Sequence, residues 1–287
     1  MSTSHFALRT VTTTDGARLA AYIREPAGAS SATTVVLSHG WTLAHQSWDQ
    51  VARLLPDEIR VVTYDQRGHG TSTFSGGADR PQRESVRRLG SDLAEVISSC
   101  VPDDSPLVLG GHSMGGMSVM AFAGAHPYYF ADRVQRVLLA STAISNLNGV
   151  KVRGAKTAMR ILAHTPGRLG RAVTPKNQAT LYGEHPDPAL LEASRAVTSR
   201  TSLRAFGSFY GALMMHDETA AAATLAKVPV VVVVGTRDRL TSTRLGTVLA
   251  EAIPGAELRV VEGVGHMTPY EVPQLLATIL RGGPESG

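Results

Sequence analysis

The stretch Leu107-Val108-Leu109-Gly110-Gly111-His112-Ser113-Met114-Gly115-Gly116 constrains this chain more than any other. A short apolar run leads straight into a glycine-rich turn, and a helical pattern follows. The arrangement G-x-S-x-G, from Gly111 to Gly115, puts a serine on a turn too tight for bulky neighbours. Glycines at 111 and 115 relieve that crowding. Such a turn lifts the Ser113 hydroxyl above the end of a strand and aims a helix N-terminus at it, where backbone N–H groups favour negative charge. Taken alone the pattern also arises by chance, as a strand–helix turn with an incidental serine. A phosphate loop fits less well, because no Gly-Lys-Ser/Thr follows and G-x-G-x-x-G is absent.

Around this turn the first 140 residues alternate β-branched runs with helical patterns, the signature of a sheet covered by helices. Phe6–Thr14 and Ala17–Glu25 flank Asp15-Gly16 and read as a hairpin. Thr33–Ser38 is a continuous apolar run, as a strand buried on both faces requires. Helical stripes are expected over His45–Leu55 and Ser85–Cys100, and strands at Ile59–Tyr64, Leu107–Gly110 and Val134–Ala140. From Ala143 to Thr224 no strand pattern is found. That segment is rich in helix formers and broken by Pro166, Pro175, Pro186 and Pro188. The alternation resumes with Val230–Val234 (strand), Thr243–Ala252 (helix), Ala256–Val261 (strand) and a helix near Pro269–Arg281, closed by Gly282-Gly283-Pro284. The expected organisation is a core of residues 1–142 and 226–287 with a helical cap, residues 143–225, inserted between them.

Hydrophobic residues make up 43% of the 287 and charged residues 18%, a globular balance. The longest apolar run, Val228–Val234, is far below the roughly 20 residues that span a bilayer. Met1–His5 lacks the basic start and apolar core of a signal peptide. Cys100 is the only cysteine, so an intrachain disulfide and a cysteine-rich metal site are both excluded. A cytoplasmic location is the expectation. The net charge is +4, and its excess sits in the insertion: residues 141–225 carry 10 Lys+Arg against 5 Asp+Glu. The rest is slightly acidic and holds no nucleic-acid-binding module. The basic segment reads as a solvated face, or as a surface suited to an acidic acyl carrier.

A serine hydroxyl is a poor nucleophile at neutral pH and needs a base, which in turn needs a carboxylate to fix its tautomer. In an α/β sheet these groups belong on loops at the carboxyl ends of strands. Asp238 follows Val230–Val234, and His266 follows Ala256–Val261, giving the chain order Ser, acid, His. Each has a plainer reading: Asp238 as a helix cap or a partner of Arg237 or Arg239, His266 as a cap of the last helix. Asp65 is a rival acid, but it precedes the serine and sits in Tyr64-Asp65-Gln66-Arg67-Gly68-His69-Gly70, a loop assigned to bracing. His39 and His112 lie at strand ends and read as structural, with His112 also a candidate substrate contact. His164, His185 and His216 lie in the insertion, within possible reach of a substrate. Two N–H donors for a developing oxyanion are expected from Met114, next after the serine, and from Trp41, in Ser38-His39-Gly40-Trp41.

Together these motifs resemble the α/β-hydrolase superfamily: His39-Gly40, Asp65-Gln66-Arg67-Gly68-His69-Gly70, Gly111-His112-Ser113-Met114-Gly115-Gly116, Gly235-Thr236-Arg237-Asp238 and Gly265-His266. The resemblance spans residues 39 to 266. It implies an eight-stranded, mostly parallel sheet with an antiparallel second strand, and a helical cap after the sixth strand. It matches Ser113, Asp238 and His266 to the family triad. An aspartate nucleophile would mark haloalkane dehalogenases and epoxide hydrolases, so Ser113 argues against both.

The function expected is therefore a serine hydrolase of esterase, lipase-like or thioesterase type, needing no metal or organic cofactor. Its partner would be a small-molecule ester or thioester. Cofactor-free haloperoxidase or perhydrolase, carbon–carbon bond hydrolase, acyltransferase and cyclase chemistry reuse the same residues. A non-catalytic binding protein on this fold is the remaining alternative. In the cap, Met159, Ile161, Leu162 and Met215 supply apolar surface. Most of the cap's apolar surface is expected to pack cap against core; the helical spacing of Phe206, Phe209, Tyr210, Leu213 and Met214 marks one stripe as a candidate to face the substrate, alongside Trp41.

Overall fold

The computed structural model describes residues 6–28, 33–77, 81, 84–145, 147 and 154–282. The expectations for Met1–His5 and for the chain end beyond Gly282 fall outside these residues. One eight-stranded sheet organises the chain: β1 (Ala7–Thr12), β2 (Arg18–Arg24), β3 (Thr34–Ser38), β4 (Arg60–Tyr64), β5 (Leu107–His112), β6 (Val134–Ala140), β7 (Val230–Gly235) and β8 (Glu257–Val261). Their order across the sheet is β1-β2-β4-β3-β5-β6-β7-β8. β2 runs antiparallel to both its neighbours, and the strands from β4 onward pair in parallel.

Strand alternation explains the layers. Successive side chains point to opposite faces, so a strand buried on both faces must be apolar throughout. Val36, Leu109, Val137, Leu139 and Val232 belong to one core cluster, with α2 (Val86–Cys100), α3 (Met114–Ala125) and α10 (Thr243–Ala252). Their neighbours Val35, Leu37, Val108, Leu138 and Val233 belong to another, under α1 (Asp49–Leu54) and α12 (Pro273–Arg281). Between β6 and β7 lie α5 (Ala155–Leu162), α6 (Pro175–Ala179), α7 (Pro188–Arg200), α8 (Leu203–Met215) and α9 (Ala222–Leu225). α8 buries Ala205, Phe209, Ala212 and Leu213 in the first core, so the insertion is packed onto the sheet domain rather than hung from it.

Four elements differ from expectation; the helix expected over His45–Leu55 is a 3₁₀ turn at His45–Trp48 followed by α1. α4 (Pro127–Arg133), with proline in its first turn, went unread because its Tyr128 and Tyr129 give no clean apolar stripe. β5 runs on through Gly110-Gly111 to His112, because both glycines pair with neighbouring strands. The last helix is two: α11 (Thr268–Glu271) ends before Pro273, which starts α12. Proline has no N–H to continue the ladder.

Arg67 locks the loop after β4. Its guanidinium is fully buried and donates to Asp92 of α2 (2.6 and 2.5 Å), to Asp15 at the hairpin turn (2.9 Å) and to Ser75 (2.9 Å). Hydrogen bonding to Arg67 is the main reason the Asp15 carboxyl titrates well below its usual range. Arg67→Ala would leave Asp92 buried and unpaired. It is expected to lower the unfolding free energy by about 3–5 kcal/mol, read from urea denaturation.

Candidate active site

Ser113 occupies the turn between β5 and α3 with φ 52° and ψ −119°, a conformation that L residues avoid. Such a backbone costs about 1–3 kcal/mol and persists only where its surroundings enforce it. Here the Ser113 N–H donates to Ala140 O (2.9 Å), while its carbonyl accepts from Thr142 Oγ1 (2.7 Å) and Gly116 N–H (2.9 Å). Gly115 is required by proximity, since a Cβ there would sit 2.0 Å from Ser38 O.

The serine, the histidine and the acid form one hydrogen-bonded line. Ser113 Oγ lies 3.1 Å from His266 Nε2, and His266 Nδ1 lies 2.9 Å from Asp238 Oδ2. A carboxylate only accepts, so Nδ1 carries the proton and Nε2 is left to accept from the serine hydroxyl. Asp238 is further fixed by N–H bonds from Leu240 (2.9 Å) and Thr241 (2.8 Å), and by the Thr241 hydroxyl (2.8 Å). Burial works against ionisation of Asp238. Electrostatic attraction to the His266 imidazole, its hydrogen bond and those of Thr241 prevail, holding the carboxyl down to about 2. Thr241 was missed in the sequence, although Asp238-Arg239-Leu240-Thr241 carries a signal for it, an aspartate accepting from the backbone two and three residues on.

The rival acid is committed elsewhere. Asp65 accepts from the His45 N–H (2.9 Å), His45 Nδ1 (2.8 Å) and the Thr71 N–H (3.0 Å). His39 accepts the Gln66 N–H at Nε2 (2.9 Å) and donates from Nδ1 to Gly40 O (2.7 Å), bracing the loop after β3. Burial drives its pKa down to about 3, so it stays neutral. His112, likewise held down to about 3 by burial, donates from Nε2 to the His266 carbonyl (2.8 Å). His216 is buried against the Ala143 and Leu213 carbonyls (3.0 and 2.9 Å). Neither His164 nor His185 reaches the cavity described below.

The Gly40 loop closes on the serine: a Cβ at Gly40 would lie 3.3 Å from Ser113 Cβ. Among the described residues, neither the Trp41 nor the Met114 backbone N–H donates to a protein acceptor. The Trp41 ring stacks on Phe206 of α8, centroids 4.7 Å apart and planes 2° from parallel.

A cavity of about 630 Å³ opens over Ser113 and His266. Trp41, His112, Phe206, Tyr210, Leu213 and Met214 line it, as does Leu162. Phe209 does not: it is fully buried on the other face of α8, its ring 5.2 Å from that of His69. The stripe expectation fails there because α8 is apolar on both sides. Met159, Ile161 and Met215 are also absent from the lining, and Ile161 and Met215 are exposed. The polar groups that line the cavity away from the serine are neutral, notably Asn177, Gln178 and Thr198. Among the described residues, no Lys, Arg, Asp or Glu lines the cavity. Among the described residues no group of three or more His, Cys, Asp or Glu is placed to hold a metal, and no helix is long and apolar enough to cross a membrane.

A family model, the alpha/beta hydrolase family, matches residues 35–279. The chain belongs to the α/β-hydrolase family. Mouse monoglyceride lipase is 25% identical to this α/β hydrolase over 272 residues, covering 93% of this chain and 85% of the lipase. The enol-lactonase from Burkholderia xenovorans LB400 superposes with a TM-score of 0.77 at 25% identity, covering 96% of this chain and 98% of that one. A thermophilic esterase from Thermogutta terrifontis shares the fold, with a TM-score of 0.75 at 24% identity and coverage of 96% and 97%.

The depressed carboxyl of Asp238 gives the hydrolase a pH signature. A folded pKa below the unfolded value of about 3.9 contributes stability that is complete above the unfolded pKa and lost as pH falls through the folded one. The stability gap between wild type and Asp238→Asn should therefore be full at neutral pH and close between about pH 4 and 2. Urea titrations across that range measure it; a gap independent of pH contradicts the assignment.

Proposed function

We propose that this α/β hydrolase cleaves carboxylic esters of lipophilic acids or alcohols through an acyl-enzyme on Ser113. The observation that carries the reading is the line Asp238–His266–Ser113, at 2.9 and 3.1 Å, opening into a cavity whose described lining is mainly apolar and holds no Lys, Arg, Asp or Glu. His266 Nε2 takes the hydroxyl proton as Ser113 Oγ attacks the carbonyl carbon. The N–H groups of Trp41 and Met114, free of protein acceptors, receive the negative oxygen. The intermediate collapses, and the alcohol leaves with the proton from His266. Water then repeats the sequence and frees the acid. Asp238 holds the His266 tautomer and stabilises the imidazolium throughout.

Residues 143–225 act as a lid over residues 1–142 and 226–287, with the Trp41–Phe206 stack as part of the seam. The lining favours an acyl or alcohol group without charge, since an ionised group there would lose water without gaining a partner. Among the described residues, the arginines and lysines between β6 and β7 are not in the cavity lining, which favours a free lipophilic ester over a substrate held on an acidic acyl carrier. A thioester or a lactone would follow the same steps. The relatives named above include both lipase and lactonase.

Two measurements test this. Ser113→Ala should lower kcat on a p-nitrophenyl ester by about 10⁴-fold or more, and a fluorophosphonate probe should label Ser113 in the wild type only. Turnover persisting near the wild-type rate, or labelling elsewhere, overturns the mechanism. In a series of p-nitrophenyl esters, kcat/KM should rise about fourfold per added methylene until the cavity is filled. A flat series, or a preference for charged acyl groups, contradicts the substrate class.

A further inference from the structure

The chain on either side of His266 is held from outside its own loop. The His266 N–H donates to Leu181 O (2.7 Å), and its carbonyl accepts from His112 Nε2 (2.8 Å). The two flanking amides converge on one carboxylate. Glu271 accepts the Gly265 N–H at both oxygens (3.1 and 3.0 Å) and the Met267 N–H at Oε1 (3.1 Å). It also accepts the Gly183 N–H at Oε2 (2.7 Å). Gly183 lies in the insertion, between α6 and α7, and not in the histidine loop.

The geometry points to Glu271 as a positioning residue that fixes His266 and couples it to the lid. Capping of α11 would explain the bond to Met267, which precedes that helix. It does not explain a carboxylate shared with Gly183 of a separate segment. The junction is reinforced along its length. The Glu184 N–H donates to Gly263 O (2.9 Å), and Arg237 pairs with Glu184. The contact leaves no room for side chains: a Cβ on Gly183 would sit 1.8 Å from Gly263 O. Leu181, whose carbonyl holds His266, also lines the cavity. Substrate bulk that displaces Leu181 thus reaches the imidazole through one hydrogen bond. Charge-assisted bonds from a carboxylate to several N–H groups are among the stronger ones available, and they suit a joint that must hold a base within a fraction of an ångström.

This inference rests on the proposed ester chemistry, and the test separates the two. Glu271→Gln keeps the size but sets an NH₂ donor, in place of one carboxylate oxygen, against two of the three N–H donors. In the full-length chain, well below its unfolding temperature, kcat on the p-nitrophenyl ester should fall about 10–100-fold, the scale of a misplacement near one ångström. KM should stay within about twofold, because no residue lining the cavity is replaced. Fluorophosphonate labelling of Ser113 per folded molecule should slow by the same factor. Amide exchange at Gly183, Gly265 and Met267 should accelerate together. Should Glu271→Gln fail to fold, Glu271→Asp, which keeps the charge on a shorter stem, is read by the same criteria. A folded variant with kcat and labelling rate within twofold of wild type overturns the inference while leaving the ester chemistry intact. Wild-type-like turnover by Ser113→Ala would instead sink the chemistry itself.

Discussion

Ser113 is held in a backbone conformation that an isolated serine would abandon, and the rest of the molecule is arranged around that strain. Its N–H and carbonyl are bound by Ala140, Thr142 and Gly116. The approach of Gly115 to Ser38 locks the turn against the neighbouring strand. The cost is met by two sheet faces of apolar side chains, because β3, β5 and β6 lie side by side in the middle of the sheet. The result is a half-buried hydroxyl held above the sheet at a helix start, where negative charge is favoured.

Burial sorts the ionisable groups by role. His39, His69 and His112 are enclosed and held to about 3, 4 and 3 by desolvation. They remain neutral and serve as hydrogen-bonding struts. Asp65 and Asp238 sit at comparable depth, and both are held at about 2 against the effect of burial. What distinguishes them is the histidine each meets. Asp65 meets His45, which stacks on Tyr22 at 3.5 Å, away from Ser113. Asp238 meets His266, whose other nitrogen faces the serine. Geometry, not carboxylate chemistry, separates the brace from the charge partner.

Much of this was legible in the chain. The Asp15-Gly16 turn, the buried runs of β3 and β7 and the full extent of β6 and α10 follow from local pattern. So does the order of Ser113, Asp238 and His266, because each follows a strand whose end the pattern marks. What was not legible depends on which side of an element faces what. α8 is apolar on two sides, so periodicity groups Phe209 with Phe206 and Tyr210, although the first faces the core and the others the cavity. Thr241 and Glu271 look like ordinary turn and helix residues until the fold brings Asp238, Gly183 and Gly265 to them. Sequence spacing reports neighbours along the chain; these contacts are made across it.

The central claim is that Ser113 carries the acyl group between two half-reactions. The direct measurement mixes the full-length chain with p-nitrophenyl butyrate, quenches in acid within the first turnovers and maps the adduct by peptide mass spectrometry. A butyryl group on the peptide containing Ser113, formed and lost at rates consistent with kcat, is the result this account predicts. Steady turnover with no acylated peptide, or with the acyl group on another residue, would contradict it.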